Sequence, residues 1–549
     1  RRLWIYPAFF LLLFYLFPLV TILQRSFGNG NILESWKSVE KTVLFAFQSA
    51  AGQTLLSVGF TLLIGLPGAY VFSRYRFVGR SFLRILVTLP FILPTVVAAA
   101  GFNALLGPRG WLNLMLMRIS GLNQPPLAVI NSLGLVVLAH VFYNVSIVVR
   151  IVGPALSQVD PRLEQSAAVL GATPFKRFVT VLLPLLSPAI LSALILVFLF
   201  DFTSFGVILL LGGSSITTPE VEIYIQTMQY LNLPAASIIT LLQLMCTLVL
   251  TWMLNRMGEG LLVPILPRTD DLNLKKPETR IEKILVSTII STFIVLSVSP
   301  LLALVLRAFF QWTQSSSNAM PQLQFSVAGF VNLFRNTRQS LFFVPPMAAI
   351  RNSLLFAGVS ALISVSLGLA ATYSIVRFRK RNTWLETALM LPLGTSAVTL
   401  GLGYLTAFSG VLRGTQLTVL LIPLVHALIG LPFVMRVVRP ALQSIPESIL
   451  HAGAVLGASA GEVWKKVEFP IIRRALGAGA VFAFTISLGE FGAAIFLARP
   501  EWPTITTVIF RSLNQPGEAN YNQALAMAVI LLLICFVAIL TVDRFQEKA

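Results

Sequence analysis

Leu163–Ile190 reads LEQSAAVLGATPFKRFVTVLLPLLSPAI, and Leu450–Leu476 reads LHAGAVLGASAGEVWKKVEFPIIRRAL. Each stretch holds a short run of helical composition, a glycine, and a proline thirteen residues beyond that glycine. Glycine relieves the steric restriction at a turn, and proline is tolerated at a helix start. The pattern predicts two short helices at an angle, lying along a membrane face and hinged at Gly171 or Gly457. Pro184 or Pro470 then opens the next span. The two stretches are copies. A slide of 286 positions puts His140 on His426, Arg150 on Arg436, Pro154-Ala155-Leu156 on Pro440-Ala441-Leu442, Pro184 on Pro470 and Phe205-Gly206 on Phe491-Gly492. Earlier in each half a slightly different offset aligns Gly65-Leu66 with Gly368-Leu369, Tyr70 with Tyr373 and Arg74 with Arg377. The shift implies a longer loop in the first half, around Gly107–Leu127. Chance does not place so many Gly, Pro and Arg identities in register, so the chain is an internal duplication.

Fifty-six per cent of the residues are hydrophobic and 11% are charged, against about 25% charged in an average soluble domain. Apolar runs of about 20 residues, enough to span a bilayer, recur along the whole chain. In the first half they lie near Leu3–Leu23, Leu44–Val71, Ile85–Leu106, Ala128–Val149, Leu185–Leu211 and Ala235–Leu254. In the second they lie near Ile284–Leu306, Ser353–Val376, Leu385–Phe408, Leu417–Val438, Ala475–Leu497 and Ala524–Val542. The opening run is too long for a secretory signal and shows no small-residue cleavage site, so it reads as a span. Pro90, Pro94 and Pro392 predict kinks in the third span of each half.

The fold class is therefore all-α and integral to the membrane, with about 12 transmembrane helices in two halves of six. Residues 1–255 form the first half, 256–283 a cytoplasmic linker with Pro264, Pro267 and Pro277, and 284–549 the second half. Six spans return the chain to its starting side, so the halves form a parallel repeat around an axis along the membrane normal. The net charge of +19 is a topology signal rather than a nucleic-acid footprint. Clusters such as Arg74, Arg76, Arg80 and Arg84 flank span ends, and the positive-inside rule then puts both termini in the cytoplasm. Cys246 and Cys535 fall within spans, away from any metal-ligand spacing.

The twin loops resemble the characteristic cytoplasmic loop of permeases in binding-protein-dependent ABC importers, and the resemblance covers essentially the whole chain. It implies a type I importer permease of MetI-like fold in a bacterial inner membrane. In that family the loop is a coupling helix that docks on a separate ATP-hydrolysing subunit. Carried over, Ala167, Gly171, Ala172 and Pro184 match in the first copy, and Gly457, Ala458 and Pro470 in the second; Lys176 and Lys465 lie within the same loops. Gln165 and His451 stand where the family carries an acid, with Glu164 adjacent in the first copy alone. The implied partners are a homodimer of cytoplasmic ATPase subunits, an extracytoplasmic solute-binding protein and the lipid bilayer. No phosphate-cradling G-x-x-x-x-G-K-[ST] occurs, so ATP hydrolysis is expected in another polypeptide and no catalytic site, cofactor or metal site is expected here.

Charges inside spans usually face a bundle interior. Asp201 and Glu490 are two such acids, and the 286 offset pairs Asp201 with Ser487 and Ser204 with Glu490. Each fifth span thus carries a carboxylate and a hydroxyl three residues apart on one face. With Thr203 they form a candidate substrate path; the alternative is interhelical glue. His140 and His426 read as hydrogen-bonded interhelical residues. LLLGGSSITTPEVEIYIQTMQY, Leu209–Tyr230, is similar to the corresponding loop of thiamine permeases, and ISLGEFGAAIFL is similar to that of thiamine and ferric-iron permeases. Both substrates are cationic. An ion-coupled secondary transporter is the alternative from another class, and it leaves the docking loops unexplained.

Overall fold

A computed structural model describes residues 3–27, 32–122, 124–257, 274–313, 322–334, 346–377, 379–412 and 418–547. Among these, ten helices are long and apolar enough to cross a bilayer, and counting each of two bent helix pairs as one span gives twelve. In the first half the spans are Ile5–Ser26, Val39–Arg74, the pair Arg80–Ile92 with Thr95–Ser120, Leu133–Gln158, Phe175–Phe202 and Leu233–Met253. In the second they are Arg280–Phe309, Pro346–Arg377, the pair Leu385–Gly394 with Ala397–Ala407, Val419–Gln443, Ala460–Gly489 and Glu518–Thr541. The third and ninth spans bend by 109° and 101°. Proline explains both bends: Pro90 sits inside the first helix of one pair and Pro94 caps the second, while Pro392 lies in the 3-10 turn Leu391–Gly394.

The fifth and eleventh spans are shorter at their far ends than the apolar runs suggest. The helix ending at Phe202 breaks over Thr203–Phe205 before resuming at Gly206–Leu211, and its counterpart ends at Gly489. Hydropathy is blind to such a break because the residues beyond it remain apolar.

The fourth and tenth spans are the most enclosed. Small residues let their neighbours approach closely, as helix packing in lipid requires. A Cβ on Gly65 would stand 2.7 Å from Val148 Cβ, and one on Gly368 would stand 2.8 Å from Val434 Cγ1. Both members of the two contacts are related by the duplication.

The first span of each half packs against the other half. Pro18 on the first span meets Gly403 on the ninth, and Pro300 on the seventh meets Gly101 on the third, whose Cβ would lie 2.8 Å from the Pro300 carbonyl. Tyr15 Oη and Thr395 Oγ1 share a hydrogen bond of 2.7 Å across the same interface. Of the expected linker, 258–273 lie outside the described residues. Its final part runs beside the end of the second span: Lys275 N donates to Arg74 O and Arg76 N donates to Lys275 O. Lys275 Nζ lies 2.8 Å from Glu282 Oε1, and Thr279 caps the seventh span in a reciprocal box with Glu282. A two-stranded hairpin, Phe310–Thr313 with Gln322–Phe325, follows that span.

Candidate functional site

Asp160 caps the helix Pro161–Val169, accepting from Arg162 N, and the helix ends at Leu170 before Gly171. Gly171 has φ +79° and Gly457 +81°, the left-handed region that a Cβ disfavours. Ala172 N donates to Ala167 O and Ala458 N to Gly453 O, both at 3.0 Å, so the two helices stop by the same device. Ala167 thus serves through its carbonyl, and the hinges fall where the sequence pattern puts them.

Pro184 and Pro470 do not open spans. Each lies inside a continuous helix, Phe175–Phe202 or Ala460–Gly489. A wide π turn precedes each proline, Phe178–Leu182 and Trp464–Glu468. Its i→i+5 spacing opens the hydrogen-bond ladder where the proline supplies no N–H, so the helix continues.

Each hinge displays an apolar pair to solvent. Val169 and Leu170 are 88% and 87% exposed, and Val455 and Leu456 are both 87% exposed. Gln165, His451, Lys176 and Lys465 are exposed around them. Glu164 turns inward instead: Arg74 Nη2 donates to Glu164 Oε1 at 2.6 Å. In the second half the equivalent Arg377 binds Glu468, donating from Nε at 3.0 Å and from Nη2 at 2.6 Å, and Tyr373 Oη donates to the other carboxylate oxygen. Both arginines tie down their loops, one ahead of the hinge glycine and the other behind it.

The breaks in the third, fifth, ninth and eleventh spans converge on the pseudo-twofold axis. Phe205 and Phe491, equivalent by duplication, stack on each other with ring centroids 5.4 Å apart. Tyr224 packs edge-on against Phe205 at 5.7 Å, and its counterpart Phe510 packs against Phe491 at 5.2 Å. A Cβ on Gly206 would fall 2.2 Å from Thr95 Oγ1, and one on Gly492 would fall 3.1 Å from Ala397 Cβ. Four aromatic rings therefore fill the meeting point of the halves.

Asp201, Ser204 and Ser487 lie within the halves. Asp201 is 1% exposed; Asn144 Nδ2 donates to its Oδ1 at 2.5 Å, and His140 Nδ1 lies 3.6 Å away. Ser204 Oγ meets His140 Nε2, and Ser487 Oγ meets His426 Nδ1, each at 2.8 Å. The two histidines join the fourth span to the fifth and the tenth to the eleventh. Thr203 Oγ1 donates to Leu199 O of its own helix. Glu490 differs. It lies past the helix end with extended backbone, its Oε1 accepting from Ala493 N at 3.0 Å. The three-residue spacing puts Asp201 and Ser204 on one face toward His140, whereas Ser487 and Glu490 part at the helix end.

Two buried acids were not singled out in the sequence. Glu220 and Glu222 open the helix Pro219–Tyr224, inside the segment quoted above for its permease likeness. Gln243 Nε2 donates to Glu220 Oε1 and Gln226 Nε2 to Glu222 Oε1, both at 2.8 Å. Glu220 also lies beside Ser396, the cap of the helix Ala397–Ala407 in the other half. Among the described residues no group of three His, Cys, Asp or Glu could hold a metal ion.

The profile for binding-protein-dependent transport system inner membrane components matches residues 61–261 and again 364–549. The thiamine transport system permease protein ThiP of Escherichia coli K12 is 26% identical over 517 residues, covering 92% of this chain and 89% of its own. The sulfate transport system permease protein CysT of the same strain is 30% identical over 254 residues, 45% of this chain and 87% of its own. In a crystal structure of a bacterial alginate ABC transporter in complex with an alginate pentasaccharide-bound periplasmic protein, one chain matches at 20% identity with TM-score 0.39, over 47% of this chain and 98% of that one.

Proposed function

The chain belongs to the family of binding-protein-dependent transport system inner membrane components and is the fused, two-domain membrane permease of an ABC importer; on that premise we propose that it carries thiamine inward along the axis between its halves. Alignment to the E. coli thiamine permease along 92% of the chain supports thiamine over ferric iron. Family membership sets aside the ion-coupled secondary transporter.

The loops after the fourth and tenth spans, Glu164–Pro184 and His451–Pro470, are the docking points for two copies of a cytoplasmic ATPase. The observation that carries this reading is the pair of equivalent, solvent-exposed apolar tips, Val169-Leu170 and Val455-Leu456, each held by a left-handed glycine. Exposed aliphatic pairs at a rigid tip contribute nothing to this chain's own core and suit insertion into a partner's groove. Residues 1–255 and 284–549 are the two halves, joined by 256–283 in the cytoplasm together with both termini. The basic residues flanking the loops support that orientation. An extracytoplasmic binding protein delivers thiamine to the opposite face, and the stacked Phe205 and Phe491 close the axis between the two faces. Glu490 belongs to the path. Asp201, Thr203, Ser204 and Ser487 act behind it, holding the broken spans in place through His140 and His426.

Co-purification with an ATPase and a binding protein encoded beside the gene, followed by vesicle uptake, tests the proposal. ATP-dependent, vanadate-sensitive thiamine uptake is expected. Replacing Val169 and Leu170, or Val455 and Leu456, with Glu should abolish ATPase assembly without lowering thermal stability of the permease. Assembly undiminished in all four replacements removes the docking assignment.

A further inference from the structure

The axis joins two acids to a group of rings, one acid from each half. Glu220 approaches from the first half, held by Gln243 of the sixth span and lying beside Ser396 of the ninth-span break. Glu490 approaches from the second half. Its Oε1 lies 3.3 Å from where a Gly492 Cβ would stand, and that same Cβ would be 3.1 Å from Ala397, the neighbour of Ser396. The two carboxylates therefore flank residues 396 and 397. Their duplicated counterparts are Thr506 and Ser204, so the acids are not a by-product of the repeat.

Neither acid has a basic partner among the described residues. Glu220 accepts from Gln243 beside Ser396, and Glu490 accepts from Ala493 N. Buried carboxylates without a counter-charge are costly in a membrane interior, and a glutamine at 220 would accept the same bond from Gln243 without that cost. A separate sign of an unfilled role lies beside them: Gln243 is fully buried, its amide nitrogen rests on Glu220, and its Oε1 accepts no hydrogen bond. The acids are also adjacent to rings. Tyr224 is four residues on from Glu220 along one helix face, and Phe491 follows Glu490 in sequence. Phe205 lies between the other two rings, edge-on to Tyr224 and stacked on Phe491.

We propose that Glu220, Glu490 and the Phe205–Tyr224–Phe491 rings form a recognition site inside the membrane for an aromatic organic cation. As the halves part, the carboxylates meet the charge and the rings meet the heterocycle face-on. Cation–π attraction strengthens in a desolvated site, and the field of two acids on a narrow axis concentrates cations there. Gln243 Oε1 supplies an acceptor to a donor on the ligand. The permease itself thereby selects positive charge, beyond any selection by a binding protein. This inference rests on the importer reading above and adds the residues by which the permease itself recognises the solute's charge and ring.

The test has two arms, both on the complete complex during ATP turnover. In a Cys246→Ala, Cys535→Ala background, Phe205→Cys and, separately, Tyr224→Cys are reacted with a cationic and an anionic methanethiosulfonate of matched size. The cationic reagent should win by about tenfold or more, and Glu220→Gln with Glu490→Gln should bring the ratio near one. Glu222→Gln, outside the site, should leave the ratio as it was. Equal rates for the two reagents with both acids present, or no reaction at either cysteine, overturns the proposal. In the second arm, thiamine uptake by the Glu220→Gln, Glu490→Gln complex should drop about tenfold while Glu220→Asp retains most of it. Charge-selective labelling in a complex that takes up no thiamine leaves the cation site standing and refutes the thiamine assignment; unchanged uptake in the double glutamine variant overturns the site.

Discussion

Removing Glu468 should damage the protein more than removing Glu164, although each carboxylate ties a loop to an equivalent arginine. The Glu468 side chain is 3% exposed and accepts from two nitrogens of Arg377 and from Tyr373. Truncating one partner of such a buried pair leaves an uncompensated charge, at a cost of about 3–5 kcal/mol. The Arg74–Glu164 pair is single-pronged, and the Glu164 side chain is 20% exposed. Water partly replaces the lost partner there, and about 1–2 kcal/mol is expected, between the exposed and buried limits. The experiment is a pair of double-mutant cycles, Arg377→Ala with Glu468→Ala and Arg74→Ala with Glu164→Ala, read as thermal unfolding midpoints of the detergent-purified chain at one scan rate. Glu468→Ala should give the largest fall, and the coupling between Arg377 and Glu468 should exceed that between Arg74 and Glu164. Equal midpoints for Glu468→Ala and Glu164→Ala, or equal coupling in the two cycles, would refute the reasoning from burial and geometry.

Replacing Phe205 and Phe491 together by Ala removes the stacked rings from the axis, and vesicles carrying this variant should leak a small fluorescent solute without ATP, whereas either single variant leaks less. At Gly171 nothing lies within 4 Å of a new Cβ, so Gly171→Ala meets a purely conformational cost of about 1–2 kcal/mol. ATP-driven uptake should fall in the Ala variant and recover in Gly171→Asn, because Asn tolerates the left-handed region. Gly101→Val forces a side chain onto the Pro300 carbonyl and should cost about 1–3 kcal/mol, seen as a lowered unfolding midpoint. Gly59→Val, at an open position, serves as its control.

Much of the fold was legible because repetition and hydropathy are both written along the chain. The offsets that align Gly65 with Gly368 and Phe205 with Phe491 pair residues with matching surroundings, down to the valine that each of the two glycines touches. Local rules failed where a neighbouring element changed the local answer. Pro184 reads as a helix start because an interior proline normally breaks the ladder, and the π turn ahead of it becomes visible only in the folded backbone. Asp201 and Glu490 stood out because a charge within an apolar run is conspicuous. Glu220 did not, since PEVEIYIQ looks like a polar connection until Gln243 and the second half enclose it. Which span embraces which half is likewise not encoded in periodicity: the partner of Pro18 is Gly403, and no local pattern links them.

That embrace bears on biogenesis. Tyr15 waits for Thr395, 380 positions downstream, before its hydroxyl is satisfied. Until then the opening helix has its sixth-span neighbour but not its ninth-span one, and the third span lacks the cover that Pro300 gives Gly101. Each gene-duplicated unit is thus missing a wall that its sibling supplies. Synthesis of either unit alone should leave an insertion intermediate for quality control to remove, while co-expression of the severed pair should let the exchanged helices find their places and rescue both.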